Sequence, residues 1–462
     1  MASQQTRPAR GMRDFLPEDV RRREYVIGVI SDVYRRYGFE PLETPALENI
    51  ETLTGKYGDE GGKLIFKVLR RGEGESSGET DLALRYDLTV PLARVVAEYR
   101  GKLPKFFKRY QIQPVWRADR PARGRFREFF QCDVDAIGSR SMVVEAELCA
   151  AVSDVLLKLD FKNFVIKLNH RGVLTGLLNA GGVKPDDHAP ALTILDKMDK
   201  IGREGVQREL EELGIPTQQL MAMFFELTSL QQGFDPRGVA NSKTATLLTE
   251  RLGHDPSAAS AVHQLKEILH LSQHTSAADH IQLDVTLARG LSYYTGAIME
   301  VAVPDLAGSL GGGGRYDGLI GMFLGEEVPA CGFSLGLERI LVVMAERGSA
   351  SIDGASADVL VALFDDATIP QALRLAADLR REGVRVEVYP EPDKLGKQMK
   401  YAAGKRIPFA AILGADEIAR GEVAIKNLGT GEQSSMPAAQ VPGFVMRAPS
   451  NEPRPPNPAP GT

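Results

Sequence analysis

Apolar residues near the start of the chain recur at the spacing of an α-helix. This segment begins at Pro17, a residue type favoured in a first helical turn, and ends before Gly38, a residue type favoured just past a helix. Further along, apolar alternation and aromatic-rich runs predict strands. The predicted elements are a helix over 17–37, two strands within 106–137 that flank a basic loop, a helix over 141–159, strands over 164–168, 281–287 and 297–303, and a strand that leads into a helix over 330–346.

Changes in this pattern divide the chain. Leu, Lys and Glu at helical spacing dominate one internal segment, which predicts a helical insertion, and a short run of small polar residues predicts a linker. Strands and helices alternate in the last part, which predicts an α/β domain with a largely parallel sheet. The predicted organisation is a first domain made of 1–170 and 281–347, a helical insertion over 171–280, a linker over 348–356, an α/β domain over 357–448 and a disordered Pro-rich tail over 449–462.

The composition of the 462 residues is typical of a globular protein with two or three domains. No apolar run approaches the about 18 residues that a membrane helix requires, and the first residues carry no secretory signal, so no membrane partner is expected. The three cysteines, Cys132, Cys149 and Cys331, form no CxxC pair, which argues against a disulfide framework and a cysteine zinc site. These features favour a cytoplasmic location.

Charge is distributed unevenly along the chain. The net charge of −5 argues weakly against a polyanionic partner. Between Lys102 and Arg127, however, nine basic residues stand against the single acid Asp119. A second basic cluster lies between Lys394 and Arg406, in a different predicted domain. Either cluster alone is typical of a solvated face, but two clusters in separate domains favour a long polyanion such as a nucleic acid.

The basic loop is the first candidate for chemistry. Five arginines lie within eleven residues, from Arg117 to Arg127, and the guanidinium group presents a planar fork of donors that suits phosphate. Gln131, Asp133 and Asp135 follow on a predicted strand, where alternate residues share one face. Three polar groups on one face line a pocket or form an internal hydrogen-bond network, and the pattern leaves both open.

Two further strings combine polar and aromatic residues. Asp87 and Thr89 precede an apolar helical pattern, and taken alone they are typical of a helix start. The string 289–296 follows an apolar strand and contains the neighbours Tyr293 and Tyr294. Tyrosines combine an apolar ring with a hydroxyl, so this pair suits a small polar ligand.

The glycines and histidines are weaker indications of a functional site than these strings. The run 311–314 allows a ligand to approach the backbone closely, but its spacing matches neither the dinucleotide fingerprint nor the phosphate loop. Arg339, in the first turns of a predicted helix, is within reach of a phosphate. His270 and His274 have the spacing of two zinc ligands on a helix, but no HExxH pattern accompanies them, so a metal site there is not favoured.

In this order along the chain, these strings resemble class II aminoacyl-tRNA synthetases, and specifically the histidyl-tRNA synthetase family. The stretch around Arg117 resembles the second motif of the superfamily, and residues 332–340 resemble the third. Residues 289–296 and 313–318 are similar to signatures of the histidine-specific family, which are far more specific. The resemblance covers nearly the whole chain.

The resemblance implies an α+β catalytic domain with a mainly antiparallel sheet, the helical insertion, and a C-terminal α/β anticodon-binding domain. It implies that ATP activates L-histidine to histidyl-adenylate and that the histidyl group passes to the 3′ end of tRNA(His). Mg²⁺ is expected on the phosphates, with unknown ligands. The insertion would hold the tRNA acceptor arm, and a homodimer is expected whose interface includes the first 50 or so residues.

The resemblance also implies roles for individual residues. The catalytic residues would be Arg117 and Arg289, on opposite sides of the ATP α-phosphate. The ATP-binding residues would be Arg117, Arg125 and Arg339. The histidine-binding residues would be Asp87, Leu88, Thr89, Arg117, Gln131, Asp135, Arg289, Tyr293 and Tyr294. Contacts with tRNA would come from Arg120, Arg123, Lys397 and Lys400.

The implied reaction needs no general base, because the histidine carboxylate that attacks the α-phosphate is already ionised. Two positions depart from the family pattern: Asp119 stands where many class II enzymes have Glu, and Asp135 stands where some bacterial relatives have Glu. The alternative function is a catalytically inactive, synthetase-like regulatory subunit of an ATP phosphoribosyltransferase. Such paralogues typically lack the anticodon domain that this chain is predicted to have.

Overall fold

The computed structural model describes the residues 6–54, 62–72, 77–230, 239–288, 293–348 and 355–447. The chain divides into two compact units, Met1–Ser349 and Ala350–Thr462. Within the predicted linker, residues 349–354 lie outside the described residues, and so does the whole predicted tail, 449–462.

The first unit combines strands and helices. Its strands are β1 (Glu40–Pro41), β2 (Leu47–Asn49), β3 (Lys67–Leu69), β4 (Thr80–Leu84), β5 (Phe107–Trp116), β6 (Glu128–Ile137), β7 (Val165–His170), β8 (Ile281–Leu283), β9 (Ala297–Ala302), β10 (Ser309–Arg315) and β11 (Ala330–Gly336). Its helices are α1 (Pro17–Arg36), α2 (Ile50–Leu53), α3 (Thr89–Glu98), α4 (Val143–Lys158), α5 (Arg171–Ala180), α6 (His188–Leu195), α7 (Met198–Glu212), α8 (Gln218–Ser229), α9 (Val239–Leu252), α10 (Pro256–Ser272), α11 (Asp317–Leu324) and α12 (Leu337–Glu346). The helix predicted over 17–37 and the two strands predicted within 106–137 are confirmed.

The central sheet of this unit has eight strands in the order β1-β5-β6-β11-β10-β9-β7-β8. The two outermost pairs, β1 with β5 and β7 with β8, are parallel, and the inner neighbours are antiparallel. The mainly antiparallel sheet expected from the sequence is therefore confirmed. A smaller antiparallel sheet has the order β2-β4-β3.

Helices α1 and α4 pack against each other and against the central sheet. α1 has Pro17 and two acids in its first turn and Arg35 and Arg36 in its last turn, an arrangement that the helix dipole favours. The hydroxyl of Tyr34 on α1 donates to the carbonyl of Cys132 on β6, at 3.5 Å. The apolar side chains that α1 buries are Val26, Ile30 and Val33.

Between β7 and β8, the described residues form helices and turns with no strand among them. His170 caps the first of these helices, α5: its Nδ1 accepts the N–H of Gly172 at 2.9 Å, and its Nε2 lies 3.0 Å from Gln264 Oε1 on α10. Helices α5 and α10 approach closely, because a Cβ at Gly176 would lie 2.5 Å from the Cβ of Ala258. The α5 N-terminus is therefore tied to α10.

The second unit has a sheet of five strands in the order β13-β12-β14-β15-β16. These strands are β12 (Val359–Val361), β13 (Val386–Val388), β14 (Phe409–Ile412), β15 (Glu422–Asn427) and β16 (Gln433–Pro437). The helices of this unit are α13 (Ile369–Arg381), α14 (Leu395–Gly404), α15 (Ala415–Arg420) and α16 (Val441–Arg447). Their apolar faces enclose a core that includes Leu375, Leu379, Phe409, Ile425 and Val445.

The prediction of a largely parallel sheet is wrong for two of the four strand pairs in the sheet of this unit. β12 is parallel to both of its neighbours, but β14 with β15 and β15 with β16 are antiparallel. The chain between Ile412 and Glu422 is too short for a parallel crossover, which takes about a dozen residues or more. The hairpin after Asn427 then makes β16 antiparallel to β15. β16 was not predicted from the sequence, because its side chains are polar and mostly exposed.

No helix among the described residues is both long enough and apolar enough to span a bilayer. The three cysteines are buried and unbonded to one another. Burial raises the pKa of each of these thiols, so none has the thiolate character of a reactive cysteine.

Candidate active site

A cleft of about 300 Å³ opens over β6, β10 and β11 of the central sheet. Residues from distant parts of the chain meet there. The sequence-predicted residues that line it are Asp87, Thr89, Arg117, Arg125, Gln131, Tyr293, Tyr294 and Arg339. Further lining residues, which the sequence did not single out as ligands, include Asp119, Phe126, Phe129, Ser309, Ser334 and Glu338.

Arg117 is held in place by the groups around its guanidinium. Its Nε donates to the carbonyl of Tyr86 at 3.0 Å. Its guanidinium carbon lies 4.3 Å from the centre of the Tyr86 ring and 5.2 Å from that of Phe129. These contacts fix the cation on the cleft wall before any ligand arrives.

Two further cations line the same cleft. Arg125 forms an ion pair with Asp119 at 2.9 Å, and its side chain is 54% exposed. Arg339 donates to the carbonyl of Ser309 and, at 3.3 Å, to its hydroxyl. Because an exposed ion pair contributes little free energy, Arg125 can exchange its carboxylate partner for a phosphate at small cost.

The other part of the cleft is polar and more deeply buried. Asp87 is 1% exposed, and its Oδ1 accepts the N–H of Val90 at 3.0 Å, at the start of α3. The hydroxyl of Tyr293 lies 3.4 Å from Asp87 Oδ2. Leu88, which follows in the chain, is fully buried and is not among the residues that line the cleft.

Gln131 presents an unused acceptor. Its Nε2 donates to the hydroxyl of Ser334 at 2.9 Å, while its Oε1 is buried and has no hydrogen-bond partner among the described residues. A buried acceptor without a partner is costly, so such a group on a cleft wall favours a ligand that donates to it.

Asp135 lies beneath the cleft, not on its lining. Its carboxylate pairs with the fully buried Arg109 at 2.9 Å and accepts the hydroxyl of Tyr316. Asp133 lies 4.0 Å from the same guanidinium. Burial raises the pKa of Asp133 to about 7, and nearby Asp135 adds to the rise, while Arg109 opposes it.

Both alternatives that the sequence left open for residues 131, 133 and 135 are realised: Gln131 lines the cleft, and Asp133 and Asp135 belong to an internal polar network that adjoins it. Arg109 and Tyr316, which also belong to this network, were not predicted from the sequence. A signal was present: Arg109 stands in the predicted strand, and in the β5–β6 register it is directly opposite Asp135. Only the register, which depends on the length of the intervening loop, reveals that pairing.

The residues predicted to contact tRNA are on the surface. Arg120 and Lys400 are exposed. Arg123 pairs with Glu346 at the end of α12 and also donates to the carbonyl of Asp305. The two arginines belong to the first unit and the lysines to the second.

Arg289, with residues 290–292, lies outside the described residues. The rings of His270 and His274 lie 5.7 Å apart, centre to centre. Among the described residues, no three His, Cys, Asp or Glu side chains are grouped so as to hold a metal ion.

The chain is similar to known proteins in both of its units. A family model described as histidyl-tRNA synthetase matches residues 11–340, and a model of an anticodon binding domain matches residues 358–447. The chain belongs to the histidyl-tRNA synthetase family. A histidine–tRNA ligase of Gloeobacter violaceus is 42% identical over 455 residues, which cover 93% of this chain and 96% of that protein.

Other members of the histidyl-tRNA synthetase family are also similar to the chain over most of its length. A histidine–tRNA ligase of Cytophaga hutchinsonii is 41% identical over 442 residues, which cover 92% of this chain and 96% of that protein. The crystal structure of histidyl-tRNA synthetase from Nostoc sp. PCC 7120 superposes with a TM-score of 0.82 at 30% identity and covers 96% of this chain and 99% of that chain. Both units of the fold therefore have counterparts in the family.

Proposed function

We propose that this chain activates L-histidine with ATP and transfers the histidyl group to the 3′ end of tRNA(His) in protein synthesis. The observation that carries the proposal is the composition of the cleft. It combines three guanidinium groups, from Arg117, Arg125 and Arg339, with a polar wall that includes Asp87 and Gln131. A nucleotide triphosphate and a small zwitterion need these two kinds of surface side by side.

The polar wall would take the amino acid. Asp87 and Thr89, with the intervening backbone at Leu88, would hold the histidine ammonium group, because the carboxylate is buried beside the cleft. The free acceptor of Gln131 and the hydroxyls of Tyr293 and Tyr294 would read the imidazole. Asp135 would act from below, where its pairing with Arg109 and Tyr316 fixes the pocket floor. Such a pocket rejects apolar amino acids, which leave its polar groups unpaired.

The guanidinium groups would take the ATP phosphates. The histidine carboxylate attacks the α-phosphorus, an oxygen–phosphorus bond forms, and pyrophosphate leaves with the electrons of the broken bond. Arg117 would bridge the attacking carboxylate and the α-phosphate, with Arg125 and Arg339 on the outer phosphates. Negative charge grows on the phosphate oxygens, and fixed cations stabilise it without reorganisation. By resemblance, Arg289 would stabilise the α-phosphate from the side opposite Arg117.

Mg²⁺ would enter with the nucleotide. Asp119 and Glu338 are carboxylates on the cleft wall, and carboxylate oxygens are hard ligands that suit this ion. Asp119 pairs with Arg125, and Glu338 pairs with Arg23. Each carboxylate would therefore be shared between the ion and its present arginine partner. When bound, the ion would neutralise charge on the outer phosphates.

The second unit and the insertion would bind tRNA. Residues 358–447 match the anticodon-binding model, and Lys397 and Lys400 lie there on α14. Arg120 and Arg123 on the basic loop, together with the helices of the insertion 171–280, would hold the acceptor arm. We further propose a cytoplasmic homodimer whose interface includes the first 50 or so residues.

The first experiment is amino-acid-dependent exchange of pyrophosphate into ATP, with each of the twenty amino acids in parallel. Exchange with histidine alone is expected. The variant Arg117→Ala should lose about 100-fold or more of the rate, because it removes a donor that faces the developing charge. Arg120→Ala is the matched control: this arginine is exposed on the same loop and does not line the cleft, so its exchange rate should stay near that of the wild type.

Each outcome decides between functions. Exchange with another amino acid would overturn the assignment of the pocket. Absence of exchange with every amino acid, together with tight binding of histidine, would favour the regulatory subunit of an ATP phosphoribosyltransferase. Equal losses in Arg117→Ala and Arg120→Ala would contradict the role given to the cleft.

A further inference from the structure

Three polar side chains from two neighbouring strands lie next to one another at the cleft wall. Gln131 and Asp133 share one face of β6, and Ser334 on β11 is directly opposite Asp133 in the strand register. The Nε2 of Gln131 donates to the hydroxyl of Ser334 at 2.9 Å. Gln131 and Ser334 line the cleft, whereas Asp133 does not. These side chains therefore connect the cleft lining to the buried network.

Asp133 determines which way the hydroxyl of Ser334 points. Asp133 is 2% exposed. Burial raises the pKa of its carboxyl, and a side-chain hydrogen bond from Ser334 opposes that rise. An ionised carboxylate only accepts hydrogen bonds, so it takes the hydroxyl proton of Ser334. The oxygen of Ser334 is then left to accept, which is the role that the bond from Gln131 requires.

This polarity decides which end of the Gln131 amide remains for a ligand. The two ends of a side-chain amide are nearly equal in size, so hydrogen bonding and not shape decides its orientation. A hydroxyl alone would not decide it, because a hydroxyl can donate to the amide oxygen as well as accept from the amide nitrogen. With the hydroxyl proton directed at Asp133, only Nε2 fits beside Ser334. The end that is left is Oε1, which is buried and has no hydrogen-bond partner among the described residues.

The unused acceptor of Gln131 indicates which ligand group suits it. A buried acceptor without a partner is unfavourable, and a ligand that donates an N–H to it removes the penalty. An imidazole N–H is such a donor, and this step rests on the proposed function. A rotated amide would present its NH₂ group, so the N–H of the ligand would face another donor. The orientation of one amide is therefore enough to separate ligands that differ in a single N–H.

We propose that Asp133 and Ser334 are positioning residues for the bound amino acid: through the hydroxyl of Ser334, the Asp133 carboxylate fixes the Gln131 amide with its acceptor end free for an N–H of the ligand. Asp133 acts without lining the cleft. The variant Asp133→Asn keeps nearly the same shape but introduces an NH₂ donor. The hydroxyl of Ser334 could then accept from position 133 and donate to Gln131, so the amide would no longer be held in one orientation.

The test is a comparison of ligand affinities by titration calorimetry at pH 8, above the raised pKa of Asp133. The ligands are histidine, ATP and 3-(4-thiazolyl)alanine, in which sulfur replaces an imidazole N–H. Asp133→Asn should weaken histidine binding by roughly three- to tenfold and leave the binding of the thiazole analogue and of ATP within about twofold. Asp154→Asn is the matched control: this carboxylate of the same unit accepts the hydroxyl of Tyr37 at 2.7 Å and does not line the cleft, so no affinity should change.

Further variants test the route through the amide. Gln131→Leu should weaken histidine binding by itself, and Asp133→Asn should then add almost nothing, because both act through one group. Ser334→Ala breaks the link between them and should weaken histidine binding about as much as Asp133→Asn. The Ser334 variant supplies the same test if Asp133→Asn does not fold.

The outcomes separate this inference from the proposed function. Unchanged histidine affinity in Asp133→Asn and Ser334→Ala, additive losses in the double variant, or an equal loss for the thiazole analogue would each overturn the inference alone. A wild-type protein that binds no histidine would contradict the proposed function and this inference together.

Discussion

Gly332 on β11 leaves the space that Asp135 on β6 occupies. The two residues are paired across the sheet, and a Cβ at position 332 would lie 1.9 Å from Asp135 Oδ1. The carboxylate has little freedom to move away, because it is tied to Arg109 and Tyr316. The shape of the pocket floor therefore depends on the absence of one side chain.

Gly332→Ala should displace Asp135 and disturb the pocket floor. We expect a loss of about 1–3 kcal/mol in the free energy of unfolding, the usual cost of overpacking, and a rise of tenfold or more in the KM for histidine. Unfolding in urea can be followed by fluorescence, since Trp116 is the single tryptophan and lies in the first unit.

The control for this variant is Gly318→Ala. Gly318 lies in α11, and a Cβ there would meet only Thr295 Cγ2, at 4.0 Å. Alanine is the better helix former, so this change should leave the KM unaltered and the stability equal or slightly higher. A Gly332→Ala protein with normal stability and a normal KM for histidine would show that Asp135 can move aside without disturbing the pocket.

The candidate site was predictable in part from single residues. Arginine, tyrosine and acid strings identified eight of the lining residues, because phosphates and polar ligands demand those residue types wherever they fall in the chain. Arg109 and Phe126 were missed as site residues for different reasons. Arg109 matters through its partner on a neighbouring strand, and Phe126 through its place on the cleft wall, where Arg13 stacks on its ring. Neither relation is visible in local sequence.

At the scale of elements, the junction of β7 and α5 contains a titratable cap. His170 Nδ1 must be unprotonated to accept the N–H of Gly172, and its Nε2–H then donates to Gln264 on α10. Burial lowers the pKa of His170 to about 4, and Arg315 adds to the decrease, while Gln264 opposes it. Protonation would remove the cap and place a charge in the interior.

Acid should therefore weaken the first unit through this residue. Below a pH of about 6.5 the unfolded chain takes up a proton at His170, while the folded chain does so only near the lowered pKa of about 4. The folded state consequently loses stability as the pH falls through this window, by about 3 kcal/mol in total. His170→Asn keeps a capping acceptor and does not titrate, so its urea midpoint should fall less between pH 7 and pH 4.

The measurement is the urea midpoint from Trp116 fluorescence at several pH values, for the wild type and for His170→Asn. His280→Asn is a suitable control, because His280 also lies between β7 and β8 but caps no helix. Parallel pH profiles for the wild type and His170→Asn would mean that other groups cause the acid sensitivity.

Elements with strong apolar patterns were predictable, and those without were not. α1 and the β5–β6 pair emerged close to their observed bounds, because their buried faces carry the pattern. β16 has no buried face of its own, so neither its presence nor the antiparallel direction that it shares with β15 could be predicted. Strand direction depends on connection length and pairing, which act over the whole unit.

At the scale of the whole molecule, two separate units carry basic surface. The first unit holds the cleft and the basic loop, and the second holds Lys397 and Lys400 on α14. A chemical step that needs only ATP and histidine would use the first unit alone. Transfer to tRNA would use both, because a tRNA is long enough to contact separate domains.

Neutralising α14 should therefore separate the two reactions. The double variant Lys397→Gln and Lys400→Gln should raise the KM for tRNA by about three- to tenfold and reduce the salt dependence of tRNA binding by up to about two counterions, while histidine-dependent exchange stays unchanged. Arg420→Gln is the control: it removes a positive charge from the same unit, but from α15 and not from α14. If both variants alter the KM equally, net charge and not α14 determines the affinity; if exchange falls as well, the second unit contributes to the chemistry of the first.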